Sequence, residues 1–175
     1  TAISPPKSTG GKFTHGLGFG DVNGDGRNDL LEKSGWWEQP ASGGLWKKHA
    51  FAFSEDKGGS QMFAYDFDGD GDQDVITAIN AHGYGLAWFE QVPAADGGID
   101  FKKHHIMGAT VEESPVGIAF SQLHGMNLAD FDGDGIKDLV TGKRYFAHGG
   151  KDPGGKDPAV LYWFRTTRGE EGGIT

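Results

Sequence analysis

Several kinds of residue and segment are missing from this sequence. The 175-residue chain contains no cysteine, which excludes disulfide bonds and thiolate metal sites and leaves the redox compartment open. No stretch approaches the roughly 20 consecutive apolar residues of a membrane-spanning helix. The N-terminal segment lacks the apolar core of a signal peptide, so any export signal is expected to have been removed before Thr1.

Basic residues and the common catalytic signatures are also scarce. The chain has 16 lysines and arginines against 25 acidic residues, for a net charge of −9. Without a basic stripe to offset phosphate repulsion, a nucleic-acid partner is disfavoured. The sequence contains no P-loop, no H-E-x-x-H motif and no Ser-His-Asp order, so nucleotide-binding and hydrolase functions gain no support.

Glycine and aromatic residues are plentiful. The chain has 31 glycines, 12 phenylalanines and five tryptophans. A disordered chain lacks the large apolar side chains that form a core. The combination predicts tight turns between short, aromatic-rich strands.

An acidic nine-residue motif occurs three times and organises the sequence. The copies are DVNGDGRND at 21–29, DFDGDGDQD at 66–74 and DFDGDGIKD at 130–138, and all match D-x-[DN]-G-D-G-x-x-D. A small-residue segment precedes each copy and an apolar segment follows it. The repeat therefore extends beyond the acidic loop.

Further segments complete each repeat. An aromatic run occurs at 35–40, 86–92 and 160–166, and a Lys/His segment follows the first two runs at 45–51 and 100–106. Each unit thus predicts four short antiparallel strands, and units of roughly 40–50 residues with four strands are typical of β-propeller blades. We predict an all-β chain forming a single propeller segment of about three blades. The predicted blade units are residues 13–53, 60–107 and 122–175.

Two long connections and the ring size extend this prediction. Residues 107–125 are predicted to connect two blades, and the Gly/Pro-rich residues 147–159 to form a loop. Such insertions usually lie on the functional face of a propeller, although a solvent-exposed surface loop is the alternative.

Propellers have about four to eight blades, so we expect a larger ring, for which seven blades is one option. Further blades would come from the same or another chain, unless the edge stays open. The last residues, 165–175, resemble the start of another Lys/His strand, which suggests truncation within a blade.

The acidic loops have the pattern of calcium sites. Their like charges would repel strongly without a cation, and hard oxygen ligands at alternating positions suit Ca²⁺. Loop positions 1, 3, 5 and 9 offer side-chain oxygens, position 7 offers its carbonyl, and glycine at position 6 permits the turn. The predicted side-chain ligands are Asp21, Asn23, Asp25 and Asp29; Asp66, Asp68, Asp70 and Asp74; and Asp130, Asp132, Asp134 and Asp138. Arg27, Asp72 and Ile136 are predicted to contribute only their backbone carbonyls.

The loops have two alternative interpretations. One is an Asp/Gly-rich turn without metal, which three copies make improbable. The other is an EF-hand, because residues 21–32 end with Glu32 at loop position 12. Thr77 and Thr141 occupy that position in the other copies, and β-type flanks replace the required helices. Glu32 is therefore not a predicted ligand.

The repeated segments resemble a known family. DFDGDGDQDVITA and ADFDGDGIKDLVTGK resemble FG-GAP/VCBS repeats, the calcium-loop blades of integrin α-subunit heads, some fungal lectins and many secreted bacterial proteins. The resemblance covers most of residues 13–165. It implies a β-propeller in which Ca²⁺ joins the first hairpin of each blade in a mostly structural role. It also implies an exported bacterial protein, located outside the cell or in the periplasm.

Four histidines are predicted to lie on the face opposite the acidic loops. His15 and His124 precede the first strand of a unit, His82 and His148 fall between the second and third strands, and a glycine follows each. Imidazoles gathered there can bind Zn²⁺ or another transition metal, or act as acid and base. The alternative is four separate loop residues bonded to nearby backbone. The other histidines, His49, His104 and His105, are predicted to lie in outer strands.

Other polar and aromatic residues have two interpretations each. Lys143, Arg144 and Tyr145 follow a predicted strand and can bind a carboxylate or sugar hydroxyls, or form a solvated strand end. The tryptophans recur at one place in the unit, which favours packing between blades over sugar stacking. They are Trp36, Trp37, Trp88 and Trp163.

Two functions follow from these patterns. The first is a calcium-stabilised module that binds carbohydrate or protein. The second is a zinc-dependent carbohydrate lyase or dehydratase, because HGMNLADFDGDGIKDLVTGKRYFAHGG resembles the propeller of aldos-2-ulose dehydratase-like proteins. That resemblance implies a His-bound metal that acidifies a proton next to a carbonyl. The histidine candidates for catalysis are His15, His82, His124 and His148.

Overall fold

The regular secondary structure of the described residues is almost entirely β-strand, as the sequence predicts. A computed structural model describes residues 2–6 and 12–168 and the backbone of 173–174. Eight strands form one curled sheet. They are β1 (Leu17–Gly20), β2 (Asp29–Glu32), β3 (Gly35–Glu38), β4 (Lys47–Ala50), β5 (Met62–Tyr65), β6 (Asp74–Ala78), β7 (Leu86–Pro93) and β8 (Ile99–Met107).

The eight-stranded sheet contains two antiparallel four-stranded meanders, in the order β4-β3-β2-β1-β5-β6-β7-β8. The meanders join through parallel pairing of β1 with β5, where Gly18 lies opposite Met62 and Phe19 opposite Phe63. Glycine is required at this junction because a Cβ on Gly18 would collide with the carbonyl group of Met62. The small residues of the predicted first strand therefore allow two repeat units to approach closely.

The third unit forms a separate sheet of three strands, ordered β11-β10-β9. These strands are β9 (Met126–Ala129), β10 (Asp138–Lys143) and β11 (Val160–Phe164). A short antiparallel pair follows, made of β12 (Thr166–Thr167) and β13 (Gly173–Ile174). The first two units thus have the four predicted strands, whereas the sheet of the third has three within the described residues.

Alternating side chains place a hydrophobic core on each face of the middle meander. The first core joins the first and second units, and the second core joins the second and third. In β6, Val75 belongs to the first core and the next residue, Ile76, to the second. This alternation is what a strand buried on both faces requires.

The tryptophan predictions have mixed outcomes. Trp36 belongs to the first core, and Trp88 packs against the second, so packing between units is confirmed for both. Trp37 is buried and lies beside the Lys48 ammonium group. Trp163 is 50% exposed because it lies on the face of β11 turned away from the second core.

The two predicted connections differ in character. Residues 108–125 contain no strand, and they contribute Phe120 and Leu123 to the second core. The insertion at 147–159 begins with a 3-10 turn at Ala147–Gly150. The buried ammonium group of Lys143 donates hydrogen bonds to the carbonyl oxygens of Gly154 and Asp157. Both connections are therefore anchored to the fold. In the part of the chain that the structure describes, no helix has the length and apolar character needed to cross a bilayer.

Candidate functional site

The three acidic loops share one backbone conformation. Glycines at loop positions 4 and 6 have positive φ in every copy, which is the conformation that favours glycine. The φ values are 72° and 85° at Gly24 and Gly26, 91° and 102° at Gly69 and Gly71, and 79° and 90° at Gly133 and Gly135. Carboxylates converge around this turn in the second and third copies, whereas those of the first copy form no such group.

The converging carboxylates fit a hard cation. In the second loop, oxygens of Asp66, Asp68 and Asp70 lie within 4.8 Å of one another. In the third loop, the same holds for Asp130, Asp132 and Asp138. Oxygen ligands at this density are the donor set that Ca²⁺ uses in proteins.

Arginine side chains lie against these carboxylates in each loop. The Arg165 guanidinium contacts Asp132 at 2.6 Å and Asp134 at 3.2 Å. Arg27 pairs with Asp25 in the first loop, and Arg168 lies 3.7 Å from Asp66 in the second. Each loop therefore has a guanidinium group against its carboxylates, and Arg27, predicted to contribute only its backbone carbonyl, pairs through its side chain.

The aspartate at loop position 9 has a structural role that the motif does not reveal. In the second loop, Asp74 Oδ2 accepts a hydrogen bond from Phe67 N at 2.9 Å, and its Oδ1 accepts one from Gln91 N at 2.9 Å. Asp29 and Asp138 repeat this arrangement. The carboxylate thus joins the acidic loop to the end of the third strand.

Burial perturbs two of these carboxyl groups. Burial raises the pKa of Asp74 to about 7, although hydrogen bonds from Gln91 and Phe67 act in the opposite direction. Burial likewise raises the pKa of Asp29 above its ordinary value. A nearby cation stabilises the ionised form and acts against burial.

The four histidines predicted to share a face lie together. His15 Nε2 is 3.0 Å from His82 Nε2, and the His124 ring lies 5.3 Å and 5.1 Å from those two rings. The His148 ring stacks on His82 with centroids 4.5 Å apart. Segments distant in sequence supply the four imidazoles: the lead-ins to β1 and β9, the β6–β7 loop and the insertion.

Two overlapping groups of metal-type ligand atoms occur in this histidine cluster. Atoms of His15, His82 and His124 lie within 4.8 Å of one another. A second group contains His82, His148 and Asp152. His82 belongs to both groups, so it is the central residue of the cluster.

Hydrogen-bond acceptors fix the orientation of three imidazoles. Asp152 Oδ2 accepts from Nδ1 of His82 at 3.0 Å and from Nδ1 of His148 at 2.6 Å. The Gln122 carbonyl accepts from Nδ1 of His124 at 3.2 Å. A neutral imidazole that donates through Nδ1 keeps its lone pair on Nε2. These three histidines therefore present Nε2 as the available ligand atom.

Sequence reasoning missed both acceptors. Asp152 lies four residues after His148 in an insertion without a counterpart in the other units. That spacing was the one available signal for Asp152. Gln122 acts through its backbone carbonyl, for which the sequence carries no signal.

Unusual backbone conformations surround the cluster. Gln122, Phe146 and His148 have φ values of 64°, 59° and 49°. Non-glycine residues in this region cost energy and persist where the surrounding structure enforces them, often at functional sites. The conformation at His148 is the one that directs its ring toward His82.

Two imidazoles of the cluster have lowered pKa values, which favours the neutral form of those two side chains. Burial lowers the pKa of His15 below its ordinary value, and the neighbouring histidines lower it further. Burial also lowers the pKa of His124, partly opposed by its hydrogen bond to Gln122. Burial alone would raise the pKa of Asp152, but hydrogen bonds from His148 and His82 outweigh it and lower that pKa. Neutral imidazole is the form that binds metals.

An open cavity of about 510 Å³ adjoins the histidines. His15, His124 and His148 line it together with Arg144 and the apolar side chain of Leu161. Lys143 also borders the cavity, but its ammonium group is engaged by the insertion. Of the predicted polar strand end, Arg144 is therefore the cationic group available to a ligand.

The remaining histidines lie outside the cluster, as predicted. His49 stacks on Trp36 with centroids 4.0 Å apart and bonds Glu38 at 2.7 Å. His104 repeats the arrangement with Trp88 and Glu90. His105 is exposed on the same strand, β8.

No protein-family model matches the chain, and no curated protein matches it.

Proposed function

We propose that this chain belongs to a calcium-stabilised β-propeller and carries a histidine-bound zinc centre that acts on carbohydrate as a lyase or dehydratase. The observation that carries the metal centre is the convergence of His15, His82 and His124 from three repeat-related segments. Three histidines with one open coordination position are a common catalytic zinc arrangement. Location outside the cell or in the periplasm remains part of the prediction.

The propeller interpretation is supported by how the units pack. Successive four-stranded meanders place apolar faces against one another, and the inner strands β1 and β5 are neighbours. Radial repetition of such sheets is the plan of a propeller. The acidic loops support calcium because each copy has the same glycine turn and the same closing aspartate.

The chain's own residues define the chemistry proposed for the histidine cluster. A zinc ion held there would polarise a substrate carbonyl and so acidify an adjacent C–H bond. Arg144 on the cavity wall offers a guanidinium for a substrate oxygen or carboxylate.

Zinc stoichiometry tests the metal centre on which this proposed function depends. The full chain, saturated with Ca²⁺, is titrated with Zn²⁺ against a chromophoric chelator, with metal content checked by elemental analysis. We expect one zinc per chain in the wild type and loss of that zinc in the His15→Ala and His124→Ala variants. His105→Ala is the matched control, because this histidine lies on β8 outside the cluster. A wild type without zinc, or equal loss in the control, would contradict the proposal.

A binding module for carbohydrate or protein is the second candidate function. The exposed aromatic and aliphatic side chains of β11 favour it, since Leu161 is 79% and Trp163 50% exposed. Exposed apolar patches often mark interaction surfaces. Calcium as the sole bound metal, together with ligand binding that the His124→Ala variant leaves intact, would support this candidate.

A further inference from the structure

Asp152 is the one carboxylate that contacts two histidines of the cluster, among the residues that the structure describes. It comes from the insertion after β10, whereas His82 belongs to another repeat unit, 70 residues away in sequence. We infer that Asp152 is a positioning residue that fixes the Nδ1–H tautomer of both His82 and His148 and thereby prepares their Nε2 atoms for metal. This inference rests on the proposed function.

The geometry of Asp152 separates this role from a general surface ion pair. One oxygen, Oδ2, accepts both Nδ1–H groups, at 3.0 Å from His82 and 2.6 Å from His148. The two rings are then nearly parallel, with an interplanar angle of 12°. A shared acceptor therefore sets the direction of both rings at once.

The tautomer of His82 determines whether its Nε2 atom can bind a metal. With a proton on Nδ1, His82 Nε2 carries a lone pair and lies 3.0 Å from His15 Nε2. If His82 were protonated on Nε2, that atom would donate to His15 and offer nothing to a metal. Metal-binding histidines in proteins almost always donate their other N–H to a carboxylate, a carbonyl or water, and loss of that partner typically costs 10–100-fold in affinity.

Hydrogen bonds within the insertion, and between the insertion and β10, hold the backbone of Asp152 in place. Lys143 ties it to β10 through the carbonyls of Gly154 and Asp157, and Gly155 N donates to the Asp152 carbonyl at 2.9 Å. Phe146 N closes the base of the insertion by donating to the Gly155 carbonyl at 2.9 Å. Asp152 is thus fixed through its backbone independently of the histidines.

Two measurements on the full chain test the inference. The first is the imidazole ¹⁵N spectrum of the metal-free protein, in which we expect the Nδ1–H tautomer at His82 and His148. Asp152→Ala, which removes the acceptor, should shift both histidines toward the Nε2–H tautomer. The second is zinc affinity in saturating Ca²⁺, which should fall 10–100-fold in Asp152→Ala. Asp157→Ala is the matched control, from the same insertion but in neither histidine group.

The outcomes distinguish this inference from the proposed function. A wild type that binds no zinc would refute the metal centre, while the tautomer spectrum would still test Asp152. Unchanged tautomers in Asp152→Ala, or zinc affinity equal to that of the wild type in that variant, would overturn the positioning role. So would a fall in zinc affinity of the same size in Asp157→Ala, because the effect would then belong to the insertion as a whole.

Discussion

Asp29, Asp74 and Asp138 are buried carboxylates that each accept two backbone N–H groups. The sequence pattern identifies them only as the last ligand of a calcium loop. Each carboxylate oxygen has lone pairs for more than one partner, so the same residue can close the hairpin and contribute to a cation site. The hydrogen-bonding role predicts that mutation lowers stability even without calcium, whereas a ligand role alone predicts a loss only when calcium is present.

Asp138→Asn should destabilise the chain even without calcium. The NH₂ group of asparagine cannot accept a hydrogen bond, so the N–H of Phe131 or of Thr166 would lose its partner. A buried donor left unsatisfied costs about 1–3 kcal/mol. Urea unfolding in EGTA measures this free energy. Asp100→Asn, at an exposed position of β8, is the control and should stay near the wild type. Equal stability of the two variants would limit Asp138 to a ligand role.

The histidine cluster shows what a repeat can and cannot predict at the residue scale. The grouping of His15, His82, His124 and His148 followed from their equivalent places in the units, because topology brings equivalent loops to one face. Asp152 has no repeat counterpart, and the Gln122 carbonyl belongs to a connection that folds irregularly. Tertiary contacts placed both residues, and local sequence carries no record of such contacts.

At the element scale, the strands that repeat were predictable and the end of the chain was not. The repeated segments on either side of the acidic turns located β1 to β8 within a few residues. In the third unit the aromatic strand is followed by Arg165, which contacts the acidic loop, whereas the second unit has Glu90, paired with His104, at the equivalent position. A reversed charge at this equivalent position removes the partner that an outer Lys/His strand uses in the second unit.

Calcium binding should stabilise the three acidic loops together. A site occupied at 100 times its Kd adds about 2.7 kcal/mol of stability, and for chains of this size 1 kcal/mol raises Tm by about 2–4 °C. We therefore expect millimolar Ca²⁺ to raise Tm by several degrees above its value in EGTA, and Mg²⁺ to raise it less. Scanning calorimetry measures the difference.

Variants within one loop sharpen the calcium test. Asp70→Asn should reduce the calcium-dependent rise in Tm, because Asp70 lies in the carboxylate group of the second loop. Asp72→Asn should retain the rise, since position 7 is predicted to bind through its carbonyl. The same melting curve with and without Ca²⁺ in the wild type would refute calcium stabilisation.

At the scale of the whole molecule, strand pairing matches the paired residues of β10 and β11 to those of β6 and β7. Ala78 pairs with Leu86 and Ile76 with Trp88, while Gly142 pairs with Leu161 and Val140 with Trp163. Leu161 is therefore the equivalent of Leu86, and Trp163 of Trp88. Leu86 is fully buried against the third unit, whereas Leu161 is 79% exposed. The outer face of the third sheet therefore exposes the same kinds of apolar side chain that the second unit packs between units.

This equivalence predicts opposite effects of one substitution at two places. Leu86→Lys buries a charge in the second core and should abolish cooperative unfolding, because an unpaired buried charge is prohibitive. Leu161→Lys should change the free energy of unfolding by no more than about 0.5 kcal/mol, the usual range for exposed positions.

Leu161→Lys combined with Trp163→Lys should also reduce self-association of the chain. We expect the wild type to associate at high protein concentration through this apolar face, and the double variant to remain monomeric with an unchanged Tm. Sedimentation velocity across a concentration series measures both species. A wild type that stays monomeric throughout would show that the face does not act as an interface, and association that persists in the double variant would place the contact elsewhere.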